Sequence, residues 1–96
     1  MSFYNCIVNN SAKEISNAIG NWHKISDTKT QREWKSSIQN KNIEYYIYDY
    51  KSSHHIKENE KYPYHIGTNS EQDSIQVVEF LKLLGLNAFQ FNFFNI

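Results

Sequence analysis

Apolar and polar positions change their period several times along this chain, and each change marks an element. Residues 3–8 (FYNCIV) are a short β-rich run ended by Asn9 and Asn10, which predicts a strand. Ser11 and Glu14 then form a Ser-x-x-Glu capping box, in which each side chain satisfies a backbone N–H that the first helical turn leaves open. Behind it, Ile15, Ala18, Ile19 and Trp22 recur at i, i+3, i+4 and i+7. That spacing puts them on one face of a helix over 12–22, whose last turn is weakened by Gly20.

Residues 43–50 (IEYYIYDY) alternate with the period of a strand. Ile43, Tyr45 and Ile47 share one side; Tyr46, Tyr48 and Tyr50 share the other with Glu44. The preceding stretch admits two readings. Thr30 and Glu33 could cap a short polar helix, with Trp34 and Ile38 four apart. A strand over 31–38 is preferred, because folding about residues 40 and 41 sets Ile38 opposite Ile43, Ser36 opposite Tyr45 and Trp34 opposite Ile47. All apolar partners then fall on one face, as a hairpin register requires.

The polar run KSSHHIKENE is read as a connector, the segment of the chain least expected to be ordered. YPYHIG (62–67) reads as another strand, placed at an edge or given an irregular start by Pro63. Ser70 and Asp73 open a helix over 71–84 that stops at Gly85. Residues 88–95 alternate again, with Phe89, Phe91 and Phe93 on one side, and their apolar density predicts an interior strand. The order is strand, helix, two or three strands, helix, strand. It predicts one α+β domain over 1–96, a two-layer sandwich. Its antiparallel or mixed sheet of four or five strands carries both helices on one face. This resembles the ferredoxin-like βαββαβ plan, or a variant with one extra strand.

Composition narrows the classes. Ninety-six residues with 40% hydrophobic content allow one modest core. The formal net charge of zero provides no general attraction to nucleic acid or to an anionic membrane. Cys6 is the only cysteine, so an intrachain disulfide and a Cys-rich zinc site are excluded. A domain this small without disulfides points to a reducing, cytoplasmic setting, and the N-terminus has no signal-peptide pattern. The longest apolar stretch is interrupted by Lys82 and Gln90 and is too short for a membrane span.

Candidate chemistry starts with the histidines. His54, His55 and His65 lie close in sequence and are the one set that suggests a metal site or a small His-dependent nuclease. Adjacent His54 and His55 would point apart in an extended segment, and no zinc-ligand spacing is present. Asp49 falls on the core-side parity of Ile43, Tyr45 and Ile47, so it must be paired, with Lys51 or facing His65, or reach solvent at a strand end. The three glycines are scattered and form no phosphate-binding loop, and no cofactor is expected. Cys6 reads as a buried, inert thiol.

Aromatics reach 16% of the chain, and the tyrosines stand out. Tyr46, Tyr48 and Tyr50 form a stripe, and Tyr62 with Tyr64 a second pair at strand spacing. If both helices cover the other face, these rings are expected on an open one, where rows of aromatics invite association. The expectation is a non-catalytic protein-interaction domain, of the kind that serves as an inhibitor or immunity protein, meeting a protein partner or a second copy through Tyr46, Tyr48, Tyr50, Tyr62 and Tyr64. A His/metal nuclease is one alternative. A single-stranded nucleic-acid binder that stacks bases on the tyrosines is the other. It is disfavoured because Lys51, Lys57 and Lys61 are balanced by Glu44, Asp49, Glu58 and Glu60.

Overall fold

A computed structural model describes residues 1–24 and 30–91. The elements run β1 (Ser2–Ser11), α1 (Ala12–Ile19), β2 (Glu33–Ile38), a single 3-10 turn (Gln39–Lys41), β3 (Ile43–Tyr48), β4 (Lys61–Thr68), α2 (Glu71–Leu83) and β5 (Ala88–Gln90). The strands make one five-stranded sheet in the order β2-β3-β4-β1-β5, with every neighbouring pair antiparallel. The fold is α+β.

The strand reading of the ambiguous stretch is correct. Ile38 faces Ile43, Ser36 faces Tyr45 and Trp34 faces Ile47, and Asn42 turns the hairpin with φ 55°. Asparagine tolerates that left-handed conformation better than most side chains. The capping box at α1 also forms: Ser11 Oγ accepts from Glu14 N at 3.1 Å, and Glu14 Oε1 accepts from Ser11 N at 2.9 Å. These contacts hold the Glu14 carboxyl down at about 2. A folded value below the unfolded one means that this contribution is complete above the ordinary carboxyl range and fades as the pH falls towards 2. Removing the N-cap hydroxyl in Ser11→Ala should destabilise the domain by about 1 kcal/mol, the usual cost of a lost cap, and lower the melting temperature by about 4–8 °C in a thermal scan at neutral pH.

Three expectations change. Helix α1 ends at Ile19 and not at Trp22, because Gly20 leaves helical geometry at φ 106°. Strand β4 is interior, between β3 and β1, so of the two readings of Pro63 the edge position fails and the irregular start holds. Pro63 is tolerated there because β3 pairs only with residues 65–67, which leaves the start of β4 with β1 alone beside it. Strand β5 pairs with β1 only, so within the described residues it is an edge and not an interior strand. Asn92 to Asn95, the remainder of the expected last strand, lie outside the described residues.

Both helices bury their apolar residues on one face of the sheet. Ala12 and Ile15 of α1 and Val77, Val78 and Leu81 of α2 share a core with Cys6, Val8, Trp34, Ile38, Tyr45, Ile47, Tyr64 and Ile66. The connector between β3 and β4 joins the same side through Ile56, which is fully buried. Burial pushes the Cys6 thiol up to about 11, with Glu71 adding to the effect, so it is a poor nucleophile at neutral pH.

Candidate functional site: the open face of the sheet

Side chains alternate across each strand, so the face away from the helices is set by register. Tyr46 pairs with Gly67 and Tyr48 with His65 on the β3–β4 side, and Phe3 pairs with Gly67 on the β1–β4 side. Ile7 pairs with Phe89 across β1 and β5. The open face therefore gathers aromatic and aliphatic residues from four strands.

His65 is at its centre. The Phe3 ring lies flat on the imidazole, with centroids 3.9 Å apart and planes 10° from parallel. Tyr48 and Tyr50 meet the same imidazole edge-on at 5.6 and 6.2 Å. Phe91 approaches Phe3 at 6.1 Å. An irregularity in β1 makes the stack possible. Between Phe3 and Ile7 the strand shifts register against β4, and Asn5 adopts φ 61° within that break. Such bulges bend a strand and re-aim its side chains. Burial lowers the pKa of His65. Desolvation likewise raises that of Tyr48, assisted by Tyr50 and Glu33.

Gly67 supplies the floor beneath Tyr48. A Cβ there would meet Tyr48 Cε1 at 3.2 Å, so a side chain at this position would push the phenol outwards. At the rim, Lys35 Nζ lies 5.7 Å from the centroid of the Tyr46 ring and Lys51 Nζ 5.1 Å from that of Tyr50, both within reach of a cation–π contact. Glu33 and Glu44 belong to the same side by strand parity, so the rim carries both signs of charge.

The stripe Tyr46, Tyr48, Tyr50 is thus on the open face, with Tyr50 44% exposed and the other two half-buried. Tyr62 and Tyr64 are not with it. They share the helix-facing side, where Tyr64 is fully buried edge-on to Trp34 at 5.1 Å and Tyr62 packs partly against the core. Neither lines the open face. The parity of Ile66 with Tyr64 was the signal in the sequence for this. Phe3, Ile7 and the centrality of His65 were not foreseen, because the β1–β4 register is set by long-range pairing.

The alternative set does not assemble. His54 Nε2 is 2.7 Å from Glu60 Oε2 in the connector, His55 is exposed, and His65 lies on the open face. No group of three His, Cys, Asp or Glu able to hold a metal occurs among the described residues. Asp49 meets neither His65 nor Lys51. Its carboxylate is fully buried and accepts from Gln31 N at 2.9 and 3.0 Å and from Arg32 N at 2.8 Å. Arg32 in turn donates to Ile56 O at 2.7 Å and lies 4.9 Å from the Trp22 ring centroid. Asp49 therefore anchors the connector and the approach to β2.

Edge pairing is blocked at the start of β2. His23 exchanges both backbone hydrogen bonds with Glu33 at 2.9 Å, and Lys35 follows on the open side. A capped start and a lysine are familiar guards against strand addition. Among the described residues, no helix is long and apolar enough to cross a membrane. Comparison of the chain with family models, with curated proteins and with solved structures finds no match.

Proposed function

We propose that this domain is a non-catalytic protein-interaction module that docks a protein partner through the open face of its sheet. The observation that carries this reading is the continuous ring surface formed by Phe3, His65, Tyr48 and Tyr50. Large rigid rings with polar tips suit such contacts, since they bury much area at little rotamer cost. The mixed charge at the rim supports a protein over a polyanion: Lys35 and Lys51 are offset by Glu33 and Glu44. In this reading the domain works by occupying a partner's surface, as an inhibitor or immunity-type protein does. Its buried single thiol suits a reducing compartment such as the cytoplasm. We read the architecture as a ferredoxin-like variant with one extra strand. Leaving out β2 reduces the order to β3-β4-β1-β5, with one helix in each crossover, which supports that reading.

The test is the double variant Tyr46→Ser/Tyr48→Ser. Thermal unfolding should stay cooperative, while association, with a stoichiometric partner from the native cell or with a second copy in sedimentation equilibrium, should weaken by at least about 30-fold, the loss typical of one interface hot spot. Unchanged association in a folded double variant would overturn the docking reading. Binding of a dT12 oligonucleotide that falls steeply with salt would replace it with a nucleic-acid platform.

A further inference from the structure

We infer that the partner on this face is a second copy of the same chain, laid face to face so that each strand crosses its own counterpart in the reverse direction. This rests on the docking reading and names its occupant.

The order of charges along the β2–β3 side carries the inference. Following β3 from its start, Glu44 comes first, Lys35 stands beside Tyr46, Glu33 stands beside Tyr48, and Lys51 follows the end of the strand. Ring contacts fix the two lysines on the open face: Lys35 Nζ lies 5.7 Å from the Tyr46 centroid and Lys51 Nζ 5.1 Å from that of Tyr50. The signs therefore run minus, plus, minus, plus. Read from the other end, the same row runs plus, minus, plus, minus. A two-fold axis lying between the two sheets, perpendicular to their strands, performs that reversal. It sets Glu44 against Lys51 of the second copy, and Lys35 against Glu33 of the second copy. Each pair forms twice, because an interface of this symmetry meets itself. Both pairs centre beside Ile47 and Tyr48, so one axis serves both. A row of a single sign, or one symmetric about its middle, would instead bring like charges together.

The rings share that centre. Tyr48 pairs with His65, and Phe3, Tyr48 and Tyr50 gather around the same imidazole. The axis thus runs through the aromatic middle of the face with the charges beside it, the layout of an apolar interface core with a polar rim. Face-packed sheets lie about 10 Å apart, a gap that rings fill from both sides and that extended lysine and glutamate side chains can span. Lys35, Glu44 and Lys51 are exposed and free to reach across. Glu33 is held at the strand edge by His23 Nε2 at 2.9 Å. A formal net charge of zero leaves two copies without overall repulsion.

Sedimentation equilibrium of the intact domain at low salt tests this with reversed charges. The parent should be largely dimeric at about 0.1 mM, since interfaces of standard size start at μM affinity. Glu44→Lys alone faces Lys51 of its own second copy, and Lys51→Glu alone faces Glu44. Each variant should self-associate at least about tenfold more weakly, because like charges now oppose each other twice. Mixed in equal amounts, the two variants present opposite charges at both positions and should recover a heterodimer. Glu79→Lys mixed with Lys82→Glu places the same charges on the exposed side of α2 and should associate no better than the parent. Circular dichroism confirms that each variant is folded. A monomeric parent, single variants as tight as the parent, or a mixture no tighter than its components would overturn self-pairing. A monomeric parent that binds a different protein, and loses it in Tyr46→Ser/Tyr48→Ser, would overturn self-pairing and leave the docking reading standing.

Discussion

Trp34→Ala should cost about 3–5 kcal/mol of folding stability, as expected for truncating a buried tryptophan. At 1% exposure Trp34 is the largest of the fully buried side chains. It belongs to β2, an edge strand, so it does more than fill volume. Its indole N–H donates to Ser16 Oγ of α1 at 3.2 Å, and its ring meets Tyr64 of β4 at 82° and 5.1 Å. One side chain thus ties the sheet edge to a helix and to a central strand. A domain of this size has about 5–15 kcal/mol in total, so the loss removes a large share of its stability. Denaturant titration followed by far-UV circular dichroism measures the loss. Trp34→Phe keeps most of the burial and loses the indole hydrogen bond; about 1–2 kcal/mol is expected. Equal midpoints for Trp34→Ala and the parent would show that β2 does not pack as described.

Asp49→Ala is the second large effect, at about 3 kcal/mol. The carboxylate sits at zero exposure and takes three N–H contacts from two backbone groups, Gln31 N and Arg32 N. Hydrogen bonds to a charged group contribute about 1.5–3 kcal/mol each, and a buried N–H left without a partner costs about 1–3 kcal/mol. The consequences spread along the chain. Gln31 Nε2 donates to His54 O at 2.7 Å and its Oε1 accepts from Ile56 N at 2.9 Å, while Arg32 holds Ile56 O. Losing the anchor should loosen the connector as well as the entry to β2. Hydrogen exchange should show the amides of Gln31, Arg32 and Ile56 losing protection together, before the β1–β4 amides do. Retained protection at Gln31 and Arg32 in the alanine variant would contradict the anchor.

Asp49 also shows where reading the sequence stops. Its parity with Tyr45 and Ile47 identified it as a core-side carboxylate in need of partners. The partners themselves, backbone N–H groups 17 and 18 residues away, carry no residue-type signal. Sequence proximity had suggested Lys51 and cross-sheet chemistry His65. His65 is on the opposite face, because β3 pairs with β4 so that odd residues of one face the side of even residues of the other. The same offset sent Tyr62 and Tyr64 to the helix side while Tyr46, Tyr48 and Tyr50 stayed on the open one.

What the chain determined by itself is whatever depends on neighbours within a turn or a hairpin. The capping box at Ser11 and Glu14, the apolar face of α1 around Ile15 and the β2–β3 register all follow from contacts a few residues apart, whose partners are written next to one another. Tertiary structure alone decided the strand order, the stacking of Phe3 on His65 and the backbone N–H partners of Asp49. These join residues separated by tens of positions. Their selection rests on the combined burial of one shared core, a quantity no local window contains.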